Sequence, residues 1–89
     1  MRAVITVVGR DAVGIIAEIS NVLKRRDVNI LEITQSILSD MFAMVMMVNI
    51  SSCNIPFSDL AKELADLGTG MGLDIHAMHE DIFNSMHRI

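Results

Sequence analysis

The chain has 89 residues, enough for one small domain and too few for two. Seven basic residues against eleven acidic ones give a net charge of −4, which excludes the basic footprint of a nucleic-acid-binding protein. Apolar residues make up 52% and aromatic ones only 3%, so the core must be built from aliphatic side chains and from the eight methionines.

Mean hydropathy is +0.47, high for a monomer of this size, and points to a buried partner surface. One cysteine, Cys53, excludes an internal disulfide and fits a reducing compartment. No apolar run reaches membrane-spanning length, since charged or polar residues interrupt each one. Met1-Arg2-Ala3 leads straight into a strand with no signal-peptide pattern, so a cytoplasmic location is expected.

Ala3 to Val8 is β-branched and nearly all apolar, as in a central strand covered on both faces. The turn Gly9-Arg10-Asp11-Ala12-Val13-Gly14 follows and opens onto a helix from about Val13 to Arg25. Its two glycines permit positive φ or close approach, and Asp11 stands where a carboxylate caps free N–H groups. A helix N-terminus of this kind suits a small anionic group. Ile15, Ile16, Ile19, Val22 and Leu23 fall on one helix face, and Lys24 to Arg26 favour the dipole at its end.

A second strand runs from about Val28 to Ser39. Leu31, Ile33 and Ile37 alternate there with Glu32, Thr34 and Ser36, as on a half-exposed strand. Ser39-Asp40 predicts a hairpin turn. Met41 to Ile50 is apolar on both faces and reads as a second central strand. Pro56 and Ser58 suit the start of another helix, which Gly68, Gly70 and Gly72 should end within a few residues. Leu73 to His79 reads as a last strand, and Ile82, Phe83, Met86 and Ile89 fit the apolar side of a short extra helix. The order is βαββαβ, an α+β ferredoxin-like plan: a four-stranded antiparallel sheet, two helices on one face, and a short C-terminal helix.

This element order resembles the ACT domain, with Asp11-Ala12-Val13-Gly14-Ile15 opening the first helix and Asp27-Val28-Asn29-Ile30 opening the second strand. The ACT domain is a small regulatory module of amino-acid biosynthetic enzymes such as phosphoglycerate dehydrogenase. The resemblance covers about residues 1–79, with 80–89 as a helical extension of the same domain. The whole chain is similar to stand-alone ACT-domain proteins of bacteria and archaea, to which the glycine cleavage system repressor is related.

The resemblance implies homodimers formed side by side through the first helix and second strand, and an amino acid or similar small effector bound at that interface. Carried onto this chain, it implies ligand contacts from Asp11, Val13, Gly14 and Ile15 of the turn and from Asn29 and Ile30 of the partner strand. Many family members have proline before the glycine, where this chain has Val13.

Several readings compete with an effector site. Asp11 could serve only as a cap, and Gly14 only to allow tight packing. A vestigial site would leave a protein-interaction module for a metabolic enzyme or regulator. His76, His79 and His87 are metal-ligand types, but His76 and His79 lie three apart on a strand and so face opposite ways. No nucleophile–base set, phosphate loop or paired-carboxylate motif is present, so neither an enzyme nor a cofactor is expected. The two helices cover one face of the sheet, yet both central strands are apolar on the other. That face should be covered by the Ile82/Phe83/Met86 tail, by another subunit's sheet, or by both.

Overall fold

The computed structural model of the protein describes residues 1–10 and 13–86. Among them the elements run β1 (Arg2–Gly9), α1 (Ile15–Arg25), β2 (Asn29–Leu38), β3 (Met41–Asn49), α2 (Phe57–Met71), β4 (Asp74–His79) and α3 (Glu80–Met86). The strands form one antiparallel sheet in the order β2-β3-β1-β4, so the two most apolar strands are central, as expected.

One sheet face carries the core. Ala3, Ile5 and Val7 of β1 lie beside Val48, Met46 and Met44 of β3, and Ile75 joins them from β4. Ile15, Ile19, Val22 and Leu23 of α1 and Leu60 and Leu64 of α2 close over this row. Each fully buried aliphatic side chain contributes about 1.5–3 kcal/mol before chain entropy is set against it. Ile16, assigned to the same face of α1, is instead partly exposed, because it lies at the margin of the apolar stripe.

Two glycines allow close approach. A Cβ on Gly9 would meet Leu73 Cδ2 at 2.0 Å, and one on Gly68 would meet Ile75 Cγ1 and the Leu73 carbonyl oxygen, each at 2.7 Å. As expected, α2 ends within this glycine-rich stretch: it runs through Gly68 and Gly70 and stops at Gly72, whose φ of 73° is left-handed and whose N–H donates to the Thr69 carbonyl. Packing against β4 offsets the low helix propensity of the first two glycines.

The second strand also departs from simple alternation. A bulge between Ile30 and Glu32 makes Leu31 the extra residue, and Leu31 through Ile37 are all exposed. β2 is an edge strand, and α1 does not extend over its outer part. At the hairpin Ser39 takes φ 60°, a left-handed conformation that a tight two-residue turn requires.

At the opposite end of the sheet, the end of α1 is tied to α2. Arg26 Nε and Nη2 donate to the two Glu63 carboxylate oxygens at 2.9 and 3.3 Å, and Arg25 approaches the same carboxylate at 3.6 Å. The Asn54 side chain donates to the Arg25 carbonyl at 2.8 Å, and its backbone N–H to the Arg26 carbonyl at 3.1 Å. The hydrogen bond from Arg26 holds the Glu63 carboxyl below its ordinary value, with the nearby Arg26 and Arg25 charges adding to the effect. Glu63 in turn raises Arg26.

The second sheet face is only partly covered. Val4 is fully buried there yet stands outside the main core cluster. Its cross-strand neighbours Met47 and Met78 lie beside it, not above it. α3 contacts both β1 and β4, contributes nothing to the helix-side core, and supplies the cover. Arg2 and Glu80 pair at its start. Phe83 is half-buried, whereas Ile82 and Met86 remain exposed, so the tail shields one end of the face and not the rest. Within one chain Val8 and Val45 stay accessible, so the tail alone does not bury both central strands on both sides.

Candidate functional site

β1 delivers the chain to one end of the sheet, where Gly9 pairs with Phe42 beside the β2–β3 hairpin. The turn enters α1 at this end. Gly14 is its N-cap, with φ 77° and ψ −4°. A Cβ here would meet nothing within 4 Å, so glycine is selected by backbone conformation and not by crowding. The Glu18 N–H donates to the Gly14 carbonyl at 3.0 Å and closes the first turn of α1.

Among the described residues no side chain caps this terminus. A helix N-terminus of this kind, at the positive end of the helix dipole, is able to receive a carboxylate. Val13 beside them is 86% exposed. Arg10 and Asp40 form an exposed ion pair at 3.6 Å on the same end of the molecule. Asp11 lies outside the described residues.

The structure brings together only part of the set read from sequence. Val13 and Gly14 are adjacent at the surface. The Ile15 side chain is fully buried in the core, so it can meet a ligand only through its backbone. Asn29 and Ile30 lie at the other end of the sheet, where Asn29 pairs with Asn49 and Asn49 with Arg2. Along β2 that places them about 25 Å from the hairpin end, at about 3.3 Å per residue. A single chain cannot hold one small molecule between the two parts. Counting residues along the second strand and its hairpin would have shown this separation in advance.

Two surface hollows among the described residues do not join them either. One, of about 730 Å³, lies on the β4 side of the turn and is lined by Val8, Arg10, Met41, Thr69 and Asp74 among others. Another, of about 640 Å³, lies at the opposite end, against Arg2, His79 and Glu80.

His76 pairs with Thr6 on the second sheet face, whereas His79, on the helix side, stacks on Phe57 with ring centroids 4.3 Å apart. His87 lies outside the described residues. Among the described residues no three His, Cys, Asp or Glu side chains are grouped to hold a metal ion, and no helix is long and apolar enough to cross a membrane.

A four-stranded βαββαβ sheet with two helices on one face is the ferredoxin-like architecture. The ACT domain profile matches residues 2–78, and the chain belongs to the ACT domain family. It is 47% identical over 88 residues to a UPF0237 protein of Methanocaldococcus jannaschii, covering 99% of this chain and 98% of that one. It is 48% identical over 89 residues to a UPF0237 protein of Clostridium perfringens, covering all of both.

An ACT domain protein from Streptococcus pneumoniae superposes with a TM-score of 0.80 at 34% identity, over 93% of each chain. A putative glycine cleavage system transcriptional repressor shares the fold, with a TM-score of 0.70 at 23% identity. That match covers 85% of this chain and 43% of the repressor.

Proposed function

We propose that this chain is a regulatory module that binds an amino acid or similar small effector between two copies of itself, and that it is not a catalyst. The observation that carries this reading is the N-terminus of α1 at the left-handed Gly14, which no described side chain caps, at the opposite end of the sheet from Asn29 and Ile30. An antiparallel two-fold pairing of β2 edges sets the Asn29 end of one copy beside the hairpin end of the other. The turn of one copy then faces Asn29 and Ile30 of its partner. The exposed apolar residues Ile16, Ile33 and Ile37 lie along that edge and would be covered by it.

In such a pair the backbone N–H groups after Gly14 receive the effector carboxylate. The Asn29 amide oxygen, or Asp11, accepts from its ammonium group. Val13 and Ile30 form the apolar wall against its side chain. Regulatory ACT proteins elsewhere in the family, and the repressor that shares this fold, support the reading by analogy.

Amide NMR spectra recorded during titration with the common amino acids test it. At millimolar concentration the expected ligand perturbs residues 13–16 and 29–31 together. Perturbation of neither segment by any amino acid refutes effector binding. A second reading is favoured by Val13, which puts an exposed aliphatic side chain beside Gly14, where the family resemblance implies proline. It makes the module an adaptor for a metabolic enzyme or regulator, with a vestigial effector site. Failure of every amino acid to raise the melting temperature, with the β2-edge dimer intact, would favour the adaptor.

A further inference from the structure

Most of the exposed apolar side chains among the described residues fall into two groups on different surfaces. Val13, Ile16, Ile33 and Ile37 follow the turn, α1 and the β2 edge. Val8, Met41 and Val45 lie on the second sheet face, and Ile82 and Met86 on the α3 that covers one end of it. Pairing through β2 edges leaves the second group in water. Contiguous apolar surface of this kind is unusual on a finished assembly.

The open part of the second face has a definite pattern. Two rows cross it: Ser36, Ala43, Val8 and Asp74, then Thr34, Val45, Thr6 and His76. The centre is apolar, and the β2 and β4 flanks are polar, as in an interface with a dry core and a wet rim. Asp74 and His76 stand two residues apart on β4, both exposed. A two-fold axis perpendicular to the strands, passing between the two rows, would lay each His76 over the partner's Asp74. It would also lay Val45 over Ala43 and Val8 over Thr6.

This arrangement overlaps only the open part of each face. α3 of each copy, packed on β1 and β4, lies beyond this overlap, toward the partner's β1 and β4 ends.

We infer that the second sheet face binds a second copy of this chain in that two-fold arrangement, with the Asp74–His76 pairs flanking a Val8/Ala43/Val45 centre. This surface is separate from the effector site and does not depend on it. Combined with β2-edge pairing it gives closed assemblies of four copies.

Native mass spectrometry of the full chain tests the inference with three variants. Val45→Glu places a charge at the centre of the patch. His76→Asp sets like charges against Asp74 at an exposed strand position outside the core. Ile37→Glu disrupts the β2 edge instead. The expected result is four copies for the wild type and two for each of the three variants. A wild-type dimer that Val45→Glu and His76→Asp convert to monomer, with Ile37→Glu unaffected, supports this interface and removes the β2-edge one. Unchanged mass in both Val45→Glu and His76→Asp overturns the inference, whatever Ile37→Glu does. If Val45→Glu fails to fold, His76→Asp decides alone.

Discussion

Gly68 and Gly70 lie two residues apart in α2, and alanine at each should move stability in opposite directions. Helix propensity alone favours both substitutions, by about 0.5–1 kcal/mol each. At Gly70 a Cβ meets nothing within 4 Å, so that gain should be realised. At Gly68 the new Cβ would lie 2.7 Å from both Ile75 Cγ1 and the Leu73 carbonyl oxygen. Ile75 is held in the core, and Leu73 is fixed by its N–H donating to the Gly68 carbonyl at 2.8 Å.

Neither neighbour can yield without moving α2 away from β4. Overpacking of this kind costs about 1–3 kcal/mol, which exceeds the propensity gain and leaves a net loss of about 1–2 kcal/mol. For a domain of this length 1 kcal/mol corresponds to about 4–8 °C in Tm. Thermal melts followed by circular dichroism at one fixed protein concentration should place Gly70→Ala a few degrees above the wild type and Gly68→Ala roughly 5–10 °C below it. A Gly68→Ala variant that melts at or above the wild type would refute the close α2–β4 packing.

Three further outcomes are expected. Gly14→Ala should cost about 1–2 kcal/mol in urea unfolding, because φ 77° strains an alanine even where space is open; an unchanged midpoint would mean that the turn does not hold this conformation. Ser39→Asn should raise stability by about 0.5 kcal/mol, since asparagine tolerates φ 60° better than serine, and a lower urea midpoint would count against the left-handed turn. Glu63 is held below the ordinary carboxylate value of 4.5, so its contribution is complete above that pH and is lost as pH falls through the lower folded value. Removing it with Glu63→Gln should cost less than about 1 kcal/mol at neutral pH, because the pair is partly exposed, and should flatten the acid limb of the stability curve. Parallel acid limbs in wild type and variant would show that Arg26 does not act on this carboxylate.

The fold was legible because burial follows period. Ala3, Ile5 and Val7 face the helices from β1 as alternation requires, and Ile15, Ile19, Val22 and Leu23 face the sheet at helical spacing. The departures come from packing that no local window contains. Leu31 breaks the alternation of β2 because a bulge inserts it between paired residues. Gly68 and Gly70 stay helical because β4 lies against α2. Val45 stays exposed because α3 is short and follows β4 at the far end of the face. The candidate site was legible in part: the turn announces itself through its glycines, and Gly14 does adopt the left-handed conformation. The length of β2 and its hairpin already separates Asn29 from the turn; which strands lie between them is set by pairing, which side-chain chemistry does not encode.

The bulge at Leu31 also bears on how an exposed edge avoids runaway polymerisation. A free strand edge is a template for fibre growth, because any extended segment can continue its ladder of N–H and C=O groups. In β2 that ladder is interrupted after Ile30 and resumes at Glu32. A regular foreign strand can match one stretch or the other but not both. The irregularity thereby penalises open-ended growth of regular strands along this edge.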